Sequence, residues 1–238
     1  MLTLKGISAQ VRVVAEGGTD QLTPDLEVEL DRLWELENSR RSKPLFNGRI
    51  FSVTSLEASL IRGHFVDYRL YIAQNLRPEL FDRLEVRPLG VSALTLSPDG
   101  VILGLRNFDT TQNPGLWELA PAGGIDPGCC GTDGKIDIKA HILGELGEEL
   151  GFGSDQVDDP VPFCLIEDGR SRVLDIGVAL STGLSKEAIV EGHRAKATDE
   201  YLQVSVVQPV DIEPFLASSK AGLAPESRLL LQFRGLTP

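Results

Sequence analysis

The feature that most constrains the fold is one strongly helical segment placed between stretches of strand-like sequence. Residues 137–150 carry apolar side chains at helical spacing, and Gly151 is a typical helix stop. Strand-like runs occupy 91–96, 101–106 and 116–119 before this segment, and 161–166, 173–180 and 202–207 after it. Further helical patterns cover 24–41, 67–84 with a bend near Pro78, and a stretch beginning near Ile212. This arrangement predicts an α/β sandwich with a mixed β-sheet.

Closely spaced strand and turn patterns begin in the sequence near residue 89. We therefore expect residues 1–88 to form an N-terminal extension or small subdomain, and residues 89–238 to form the main domain. At 238 residues the chain is long enough to bury a sizeable core without disulfides or structural metals.

The charge balance limits the classes of partner. Lys and Arg number 23 against 35 Asp and Glu, which gives a formal net charge of −12. Such a surface repels phosphate backbones and anionic lipids, so we expect no nucleic-acid partner and no membrane partner. The sequence shows neither the pattern of a signal peptide nor a long apolar stretch, and we predict a cytoplasmic protein.

The three cysteines do not form a recognisable disulfide framework. Cys129 and Cys130 are neighbours in a Gly-rich stretch, and Cys164 stands alone. No Cys-x-x-Cys pair suggests zinc, and nothing near Cys129 or Cys130 suggests a lowered pKa. We assign these cysteines no catalytic role.

Three carboxylates cluster on the central helical segment. At about 100° per residue, Glu145, Glu148 and Glu149 fall on one face, within roughly 100° of arc. Two glycines interrupt the same segment, at a cost on the order of 1 kcal/mol each, so the segment is poorly optimised for stability alone. Clustered hard oxygen ligands suit Mg²⁺ or Mn²⁺. The alternative is that the three glutamates form an ordinary solvated helix face.

The segment that contains these glutamates resembles the Nudix hydrolase signature. Gly123-Gly124, a loop, and then the run from Glu145 to Phe152 are similar to the end of that signature, Arg-Glu-aliphatic-any-Glu-Glu-any-Gly-aliphatic. The motif arginine is replaced by Gly144. The first motif glutamate falls on Ile136, with Asp137 beside it as a substitute, and the loop is six residues longer than the signature allows.

The resemblance extends over roughly residues 45–215 and favours one branch of the family. The segments 45–48, 67–71 and 87–91, followed by the Gly-Gly stretch, are similar in order to UDP-glucose/UDP-galactose pyrophosphatases. This resemblance implies a Nudix-type α/β/α sandwich and hydrolysis of a UDP-sugar to UMP and a sugar 1-phosphate. It also implies a small-molecule nucleotide substrate and a homodimer formed through the N-terminal extension.

The same resemblance implies roles for particular residues. Glu145, Glu148 and Glu149 would bind the divalent metal, and Glu200, with Asp199 beside it, is the candidate general base. Both acids could instead flank a surface turn. Arg106 and the Gly123-Gly124 backbone would contact phosphate, although Arg106 could also be a surface arginine at a strand end.

The remaining candidates concern the nucleotide pocket and the core. Tyr68 and Asn75 would line the pocket, unless they only pack. His141, one turn before Glu145, is interpreted as an orienting or core histidine, with a place beside the metals as the alternative. Trp117 is interpreted as a core residue rather than a base-stacking platform.

Two alternatives to a UDP-sugar hydrolase stay open. The enzymatic one is hydrolysis of ADP-ribose or of another nucleoside diphosphate derivative. The other is a catalytically inactive Nudix domain that binds a nucleotide or a partner protein, and the loss of the motif arginine at Gly144 together with the missing first glutamate favours it.

Overall fold

The computed structural model of the protein describes residues 1–18, 22–196 and 200–236. Within these ranges it contains twelve strands and seven α-helices. The strands are β1 (Leu2–Gly6), β2 (Arg12–Ala15), β3 (Arg49–Glu57), β4 (Leu60–Asp67), β5 (Leu89–Ser97), β6 (Gly100–Arg106), β7 (Trp117–Leu119), β8 (Ala122–Gly124), β9 (Lys135–Ile136), β10 (Val161–Asp168), β11 (Leu174–Ser181) and β12 (Tyr201–Val207). The helices are α1 (Pro24–Asn38), α2 (Tyr68–Leu76), α3 (Phe81–Leu84), α4 (Ile138–Glu145), α5 (Lys186–Lys196), α6 (Ile212–Ser219) and α7 (Pro225–Phe233).

The larger of two sheets has eight strands and is mixed. Its main path runs β1-β10-β11-β5-β6-β12, while β7 pairs with β6 and β8 pairs with β5. β11 and β5 are parallel, with Leu174 opposite Leu89, and the other pairs are antiparallel. The mixed sheet predicted from the sequence is therefore confirmed.

A smaller four-stranded sheet has the order β3-β4-β2-β9. β2 and β4 run parallel, and Val13 in β2 lies opposite Ile61 on one side and Ile136 on the other. The two-residue strand β9, which directly precedes the central helix, is thereby attached to a strand from the start of the chain.

Helices cover both faces of the larger sheet. On one face Ile142 of α4 packs with strand residues of the principal core, and Ile189 of α5 packs in a neighbouring cluster. On the other face Leu216 of α6 and Leu230 of α7 pack against a third apolar cluster. Since apolar helix faces cover the sheet from both sides, the predicted α/β/α sandwich is confirmed.

The N-terminal part of the chain is linked to the main sheet by strand pairing across residue 88. α1 and α2 form their own cluster, in which Leu30 packs with Leu70 and Tyr71. β1, however, pairs with β10 of the larger sheet, and β9 pairs with β2 of the smaller one. The first residues of the chain thus contribute an edge strand to the sheet that carries the main domain.

The central helix is shorter than its sequence pattern predicts. Asp137 caps its N-terminus by accepting hydrogen bonds from the backbone N–H groups of Lys139 and Ala140. Regular α-helix ends at Glu145, and Leu146–Leu150 form a wider π-helical turn that ends at Gly151, with φ of 78°. The predicted start and stop are correct, whereas the predicted continuous helix is wrong over this last turn.

The predicted helix over 67–84 is also divided. The chain forms α2, then a short 3₁₀ turn that begins at Pro78, then α3, because proline cannot donate the backbone hydrogen bond that a continuous helix needs. Among the described residues, no helix combines the length and apolar character needed to cross a membrane.

Candidate active site

A cavity of about 530 Å³ opens between the larger sheet and the N-terminal helices. It brings together five residues singled out from the sequence: Tyr68, Arg106, Gly123, Gly124 and Glu200. The remaining predicted substrate-binding residue, Asn75, does not line this cavity and instead lines a neighbouring one of about 700 Å³. Asp199 lies outside the described residues.

The Gly123-Gly124 backbone forms the cavity wall next to the central helix. Gly123 and Gly124 belong to β8, which pairs with β5 on the larger sheet. A Cβ added to Gly123 would lie 2.8 Å from Glu145 Cγ and still closer to the carboxylate, whereas a Cβ on Gly124 would meet nothing within 4 Å. The absence of a side chain at position 123 therefore lets the Glu145 carboxylate lie against the strand.

Glu149 is the most deeply buried of the three clustered glutamates, with 2% of its surface exposed. One carboxylate oxygen, Oε2, accepts a hydrogen bond of 3.2 Å from the backbone N–H of Ala122. The other oxygen, Oε1, is buried and has no hydrogen-bond partner. Burial, followed by the charges of Glu200 and Glu145, raises the pKa of Glu149 well above its ordinary value.

Glu145 shares this electrostatic environment. Burial raises its pKa to about 7, and the negative charges of Glu200 and Glu148 add to the increase. Glu148 itself is exposed on the π-helical turn. The three glutamates predicted from the sequence and Glu200 thus lie close enough to repel one another, although Glu200 is more than 50 residues further along the chain.

The carboxylates fit the divalent cation that the Nudix resemblance implies. In the described ranges, no three His, Cys, Asp or Glu side chains are already gathered so as to hold a metal ion. Mg²⁺, however, typically takes one or two protein carboxylates and completes its coordination with water and phosphate oxygens. The unpartnered buried oxygen of Glu149 and the repulsion among its neighbours are the two features that such a cation would satisfy.

Arg106 is held by carboxylates of the cavity wall. Its Nη1 atom lies 2.5 Å from Glu118 Oε1 and 3.4 Å from Glu200 Oε1, and its Nε donates a 2.9 Å hydrogen bond to the carbonyl oxygen of Gln112. The Tyr201 hydroxyl donates a further 2.9 Å hydrogen bond to Glu118. The guanidinium that the sequence suggests for phosphate binding is therefore engaged with two carboxylates in this structure.

Glu118 was not recognised from the sequence as a site residue. It is 7% exposed and lies on β7 between the buried residues Trp117 and Leu119. Burial raises its pKa, while the Arg106 charge and hydrogen bond act in the opposite direction. A charged residue inside an apolar strand was the available signal, because glutamate is almost never fully buried unless it is paired.

Asp175 is a second buried carboxylate that sequence reasoning missed. It lies on β11 opposite Gly90, also lines the cavity, and hydrogen-bonds Ser92. Burial raises its pKa to about 7. Together with Glu118 and Glu226, it makes this part of the cavity wall rich in hydrogen-bond acceptors.

His141 connects the central helix to the Gly-rich loop. Its Nδ1 atom lies 3.2 Å from Cys129 Sγ, and its Nε2 atom lies 3.6 Å from Glu145 Oε1. The histidine side chain is 6% exposed, and burial lowers its pKa. Burial also raises the pKa of Cys129 to about 11, so this thiol is protonated at neutral pH. Both the orienting and the core interpretation of His141 agree with these contacts.

The remaining candidates are aromatic. Tyr68 combines packing with a place on the cavity wall: its ring lies 6.5 Å from Trp34 and 6.0 Å from Tyr71. Trp117 is 1% exposed in the core, and its indole N–H donates to Ser219.

Comparisons with known proteins find matches among solved structures only. No protein-family model and no curated protein matches the chain. One similar solved structure is the MutT protein from Methanosarcina mazei Go1, at 20% identity, over 55% of this chain and 80% of that one, with a TM-score of 0.39. Another is the NUDIX domain of Shewanella oneidensis NrtR complexed with ADP ribose, at 20% identity, over 63% and 88%, with a TM-score of 0.40. An Ap4A hydrolase from C. elegans is similar at 14% identity, over 61% and 96%, with a TM-score of 0.38.

Proposed function

We propose that this chain is a Nudix-type hydrolase that uses a divalent metal to cleave the diphosphate linkage of a nucleoside diphosphate derivative. The observation that carries the proposal is the buried, unpartnered Oε1 atom of Glu149, among carboxylates that repel it. An arrangement of this kind costs stability, since a buried charge without a partner is strongly unfavourable. This unfavourable arrangement of carboxylates is explained if they hold a cation during function.

Glu145, Glu148 and Glu149 are the residues that would hold Mg²⁺ or Mn²⁺. When bound, the cation would neutralise diphosphate charge and help to align an attacking water. The chain itself fixes Glu149 through the Ala122 N–H, and it fixes Glu145 against the side-chain-free backbone of Gly123. The two carboxylates are thereby positioned before any substrate arrives.

Glu200 is the proposed general base. It lines the cavity, and its charge acts on both Glu145 and Glu149. Burial raises its pKa, although Arg106, 3.4 Å away, lowers it. A carboxylate with a raised pKa is better suited to accept a proton from water near neutral pH than an ordinary exposed glutamate.

The first choice of substrate is UDP-glucose or UDP-galactose, and this choice rests on the resemblance over 45–215 alone. The products would be UMP and a sugar 1-phosphate. ADP-ribose is the enzymatic alternative. The acceptor-rich wall formed by Glu118, Asp175 and Glu226 suits a hydroxyl-rich group in either substrate, because sugar hydroxyls donate hydrogen bonds to carboxylates.

The test is ³¹P NMR of the purified protein with Mg²⁺ and either UDP-glucose or ADP-ribose. UMP and glucose 1-phosphate in the first sample would support both the reaction and the substrate. Cleavage of ADP-ribose alone would keep the hydrolase and discard the uridine assignment. Glu149→Gln should abolish the reaction, and Glu57→Gln, at an exposed position on β3, is the control that should retain it. Nucleotide binding without turnover in Mg²⁺ and in Mn²⁺ would instead favour a binding domain.

A further inference from the structure

A second cavity, of about 570 Å³, lies apart from the candidate active site. The two cavities share none of their lining residues. The apolar side chains that line the second cavity are Leu22, Val53, Leu70, Phe81 and Leu84. Its volume is within the range of pockets that bind small molecules, and such pockets typically combine an apolar lining with a few placed polar groups.

The charged side chains of this cavity carry a net positive charge, whereas the protein as a whole is negative. Arg83, Arg87 and Arg172 line it, against two carboxylates, Glu85 and Glu167. The whole chain, by contrast, carries a net charge of −12. Three guanidinium groups, two from residues 83–87 and one from residue 172, therefore line one cavity in an acidic protein.

Two of these arginines have no carboxylate partner within the part of the chain that the structure describes. Arg87 forms an ion pair of 3.1 Å with Glu167. Arg83 donates a 3.3 Å hydrogen bond only to the Thr23 hydroxyl, and the Arg172 guanidinium lies 4.3 Å from the centre of the Phe81 ring. The charges of Arg83 and Arg172 therefore remain available to an anion.

Backbone geometry places two of the charged residues in an unusual conformation. Glu85 has φ of 47° and Arg172 has φ of 65°, in the left-handed region that residues with a Cβ rarely adopt. Only two other non-glycine residues in the described ranges have positive φ. Glu85 is the left-handed C-cap of α3, a common way for a helix to end, so only the conformation of Arg172 adds to the indication of a site.

Strand register explains why Arg87 and Arg172 meet. Each stands two residues before the first residue of a strand, Leu89 of β5 and Leu174 of β11 respectively, and these two residues are paired in parallel register. The amino ends of parallel neighbours lie at the same edge of a sheet. The topology therefore brings Arg87 and Arg172 to the same edge of the sheet, where the Arg172 guanidinium lies over the Phe81 ring.

We propose that this second cavity is a binding site for a phosphate monoester that carries an aromatic or other apolar group. The guanidiniums of Arg83 and Arg172 would bind the phosphate, since arginine matches phosphate geometry with paired hydrogen bonds. Phe81 and the leucines would contact the apolar group. The proposal goes beyond the proposed hydrolase function and does not rest on it.

The experiment is isothermal titration calorimetry of the intact protein in EDTA, with phenyl phosphate and inorganic phosphate as separate probes. EDTA removes divalent metal, so the acidic candidate active site has no cation with which to attract either probe. We expect phenyl phosphate to bind about tenfold more tightly than inorganic phosphate, because only its ring contacts the apolar lining. Arg83→Glu should weaken phenyl phosphate binding by about tenfold or more, because it replaces attraction by repulsion.

Two further variants complete the design. Arg172→Gln should weaken phenyl phosphate binding as well. If the protein does not tolerate a change at the left-handed position 172, Arg83→Glu still tests the proposal, because Arg83 is exposed on α3. Arg40→Gln, an exposed position just after α1, is the matched control and should bind as the unaltered protein does. Unchanged affinity in Arg83→Glu, equal affinity for the two probes, or no binding of phenyl phosphate at millimolar concentration would each overturn the proposal.

Discussion

The Glu145 carboxylate occupies space next to β8 that a side chain at Gly123 would fill. A Cβ at position 123 would lie 2.8 Å from Glu145 Cγ and closer still to the carboxylate carbon and Oε1, which is closer than real Cβ atoms approach other heavy atoms. The atoms it would meet belong to the end of a flexible side chain, so the fold can accommodate the change by moving Glu145. The relationship therefore connects position 123 to the proposed metal site rather than to stability.

Gly123→Ala should weaken the metal dependence of catalysis while leaving the fold intact. We expect the Mg²⁺ concentration for half-maximal hydrolysis to rise by roughly 10- to 100-fold, as for changes that displace a metal ligand from its position. The measurement is a Mg²⁺ titration of the hydrolysis rate, accompanied by thermal unfolding. Gly124→Ala is the control, because its added Cβ meets nothing within 4 Å. Equal Mg²⁺ dependence in the two variants would remove Glu145 from the metal site.

Glu149→Gln should separate activity from stability. Because the pKa of Glu149 is raised in the folded protein, folding at pH 8 requires either a proton that the unfolded chain has released or a buried charge, and an amide removes this cost. The metal-free variant should therefore gain roughly 1–3 kcal/mol at pH 8. Hydrolysis should fall by roughly a hundredfold or more, since a ligand of the proposed cation is lost. Urea unfolding in EDTA and a rate assay in Mg²⁺ measure the two effects. A variant that is both less stable and fully active would contradict the proposed role.

The sequence was sufficient to predict features that depend on neighbouring residues. The helix start near Asp137, the stop at Gly151 and the common face of Glu145 and Glu149 all follow from spacing within one helical segment. The π-helical turn over Leu146–Leu150, in which Leu146 and Leu150 are buried in an apolar cluster, does not follow from that spacing. Local periodicity cannot distinguish a wider turn from a regular one.

Features that depend on tertiary contacts were missed. α5 escaped prediction because only two of its residues, Ile189 and His193, are buried, which leaves a weak apolar pattern. Glu118 and Arg106 meet only because β6 and β7 pair with Gly104 opposite Glu118. A strand register of this kind is set by the whole sheet, so the ion pair could not be predicted from either strand alone.

Removing Arg106 should destabilise the protein through Glu118. The two side chains are 13% and 10% exposed, so Arg106→Met leaves a buried carboxylate whose ion-pair partner is gone. We expect a loss of roughly 3–5 kcal/mol in the free energy of unfolding. Glu118→Gln added to Arg106→Met should recover much of that loss. Urea denaturation of the single and double variants measures the coupling between them.

The same variants test the phosphate role suggested for Arg106 by the sequence. If the guanidinium only neutralises Glu118, the double variant should regain activity as it regains stability. If it also contacts the substrate diphosphate, KM should stay raised in the double variant although its stability has recovered. A double variant as unstable as Arg106→Met would contradict the ion pair itself.

Asp175 should make the protein less stable as the pH rises from about 4 to 7. Its pKa is about 7 in the folded protein, against an ordinary value of 3.8, because it is buried. Between these values the folded state retains a proton that the unfolded chain has released, so the free energy of unfolding falls as the pH increases. Asp175→Asn removes this pH-dependent loss of stability. The variant should match the unaltered protein near pH 4 and exceed it by roughly 2–4 kcal/mol at pH 8.

Urea unfolding at pH 4, 6 and 8 measures the difference in stability between Asp175→Asn and the unaltered protein. Asp211→Asn, an exposed position at the start of α6, is the control for the loss of one surface charge. A constant difference between Asp175→Asn and the unaltered protein at all three pH values would mean that Asp175 is already ionised in the folded state at pH 4. In that case its hydrogen bond with Ser92, which lowers the pKa, outweighs burial, and the cavity wall would carry a full negative charge there. A gap that opens only above pH 4 would show instead that the wall presents a protonated carboxyl, able to donate as well as accept a hydrogen bond.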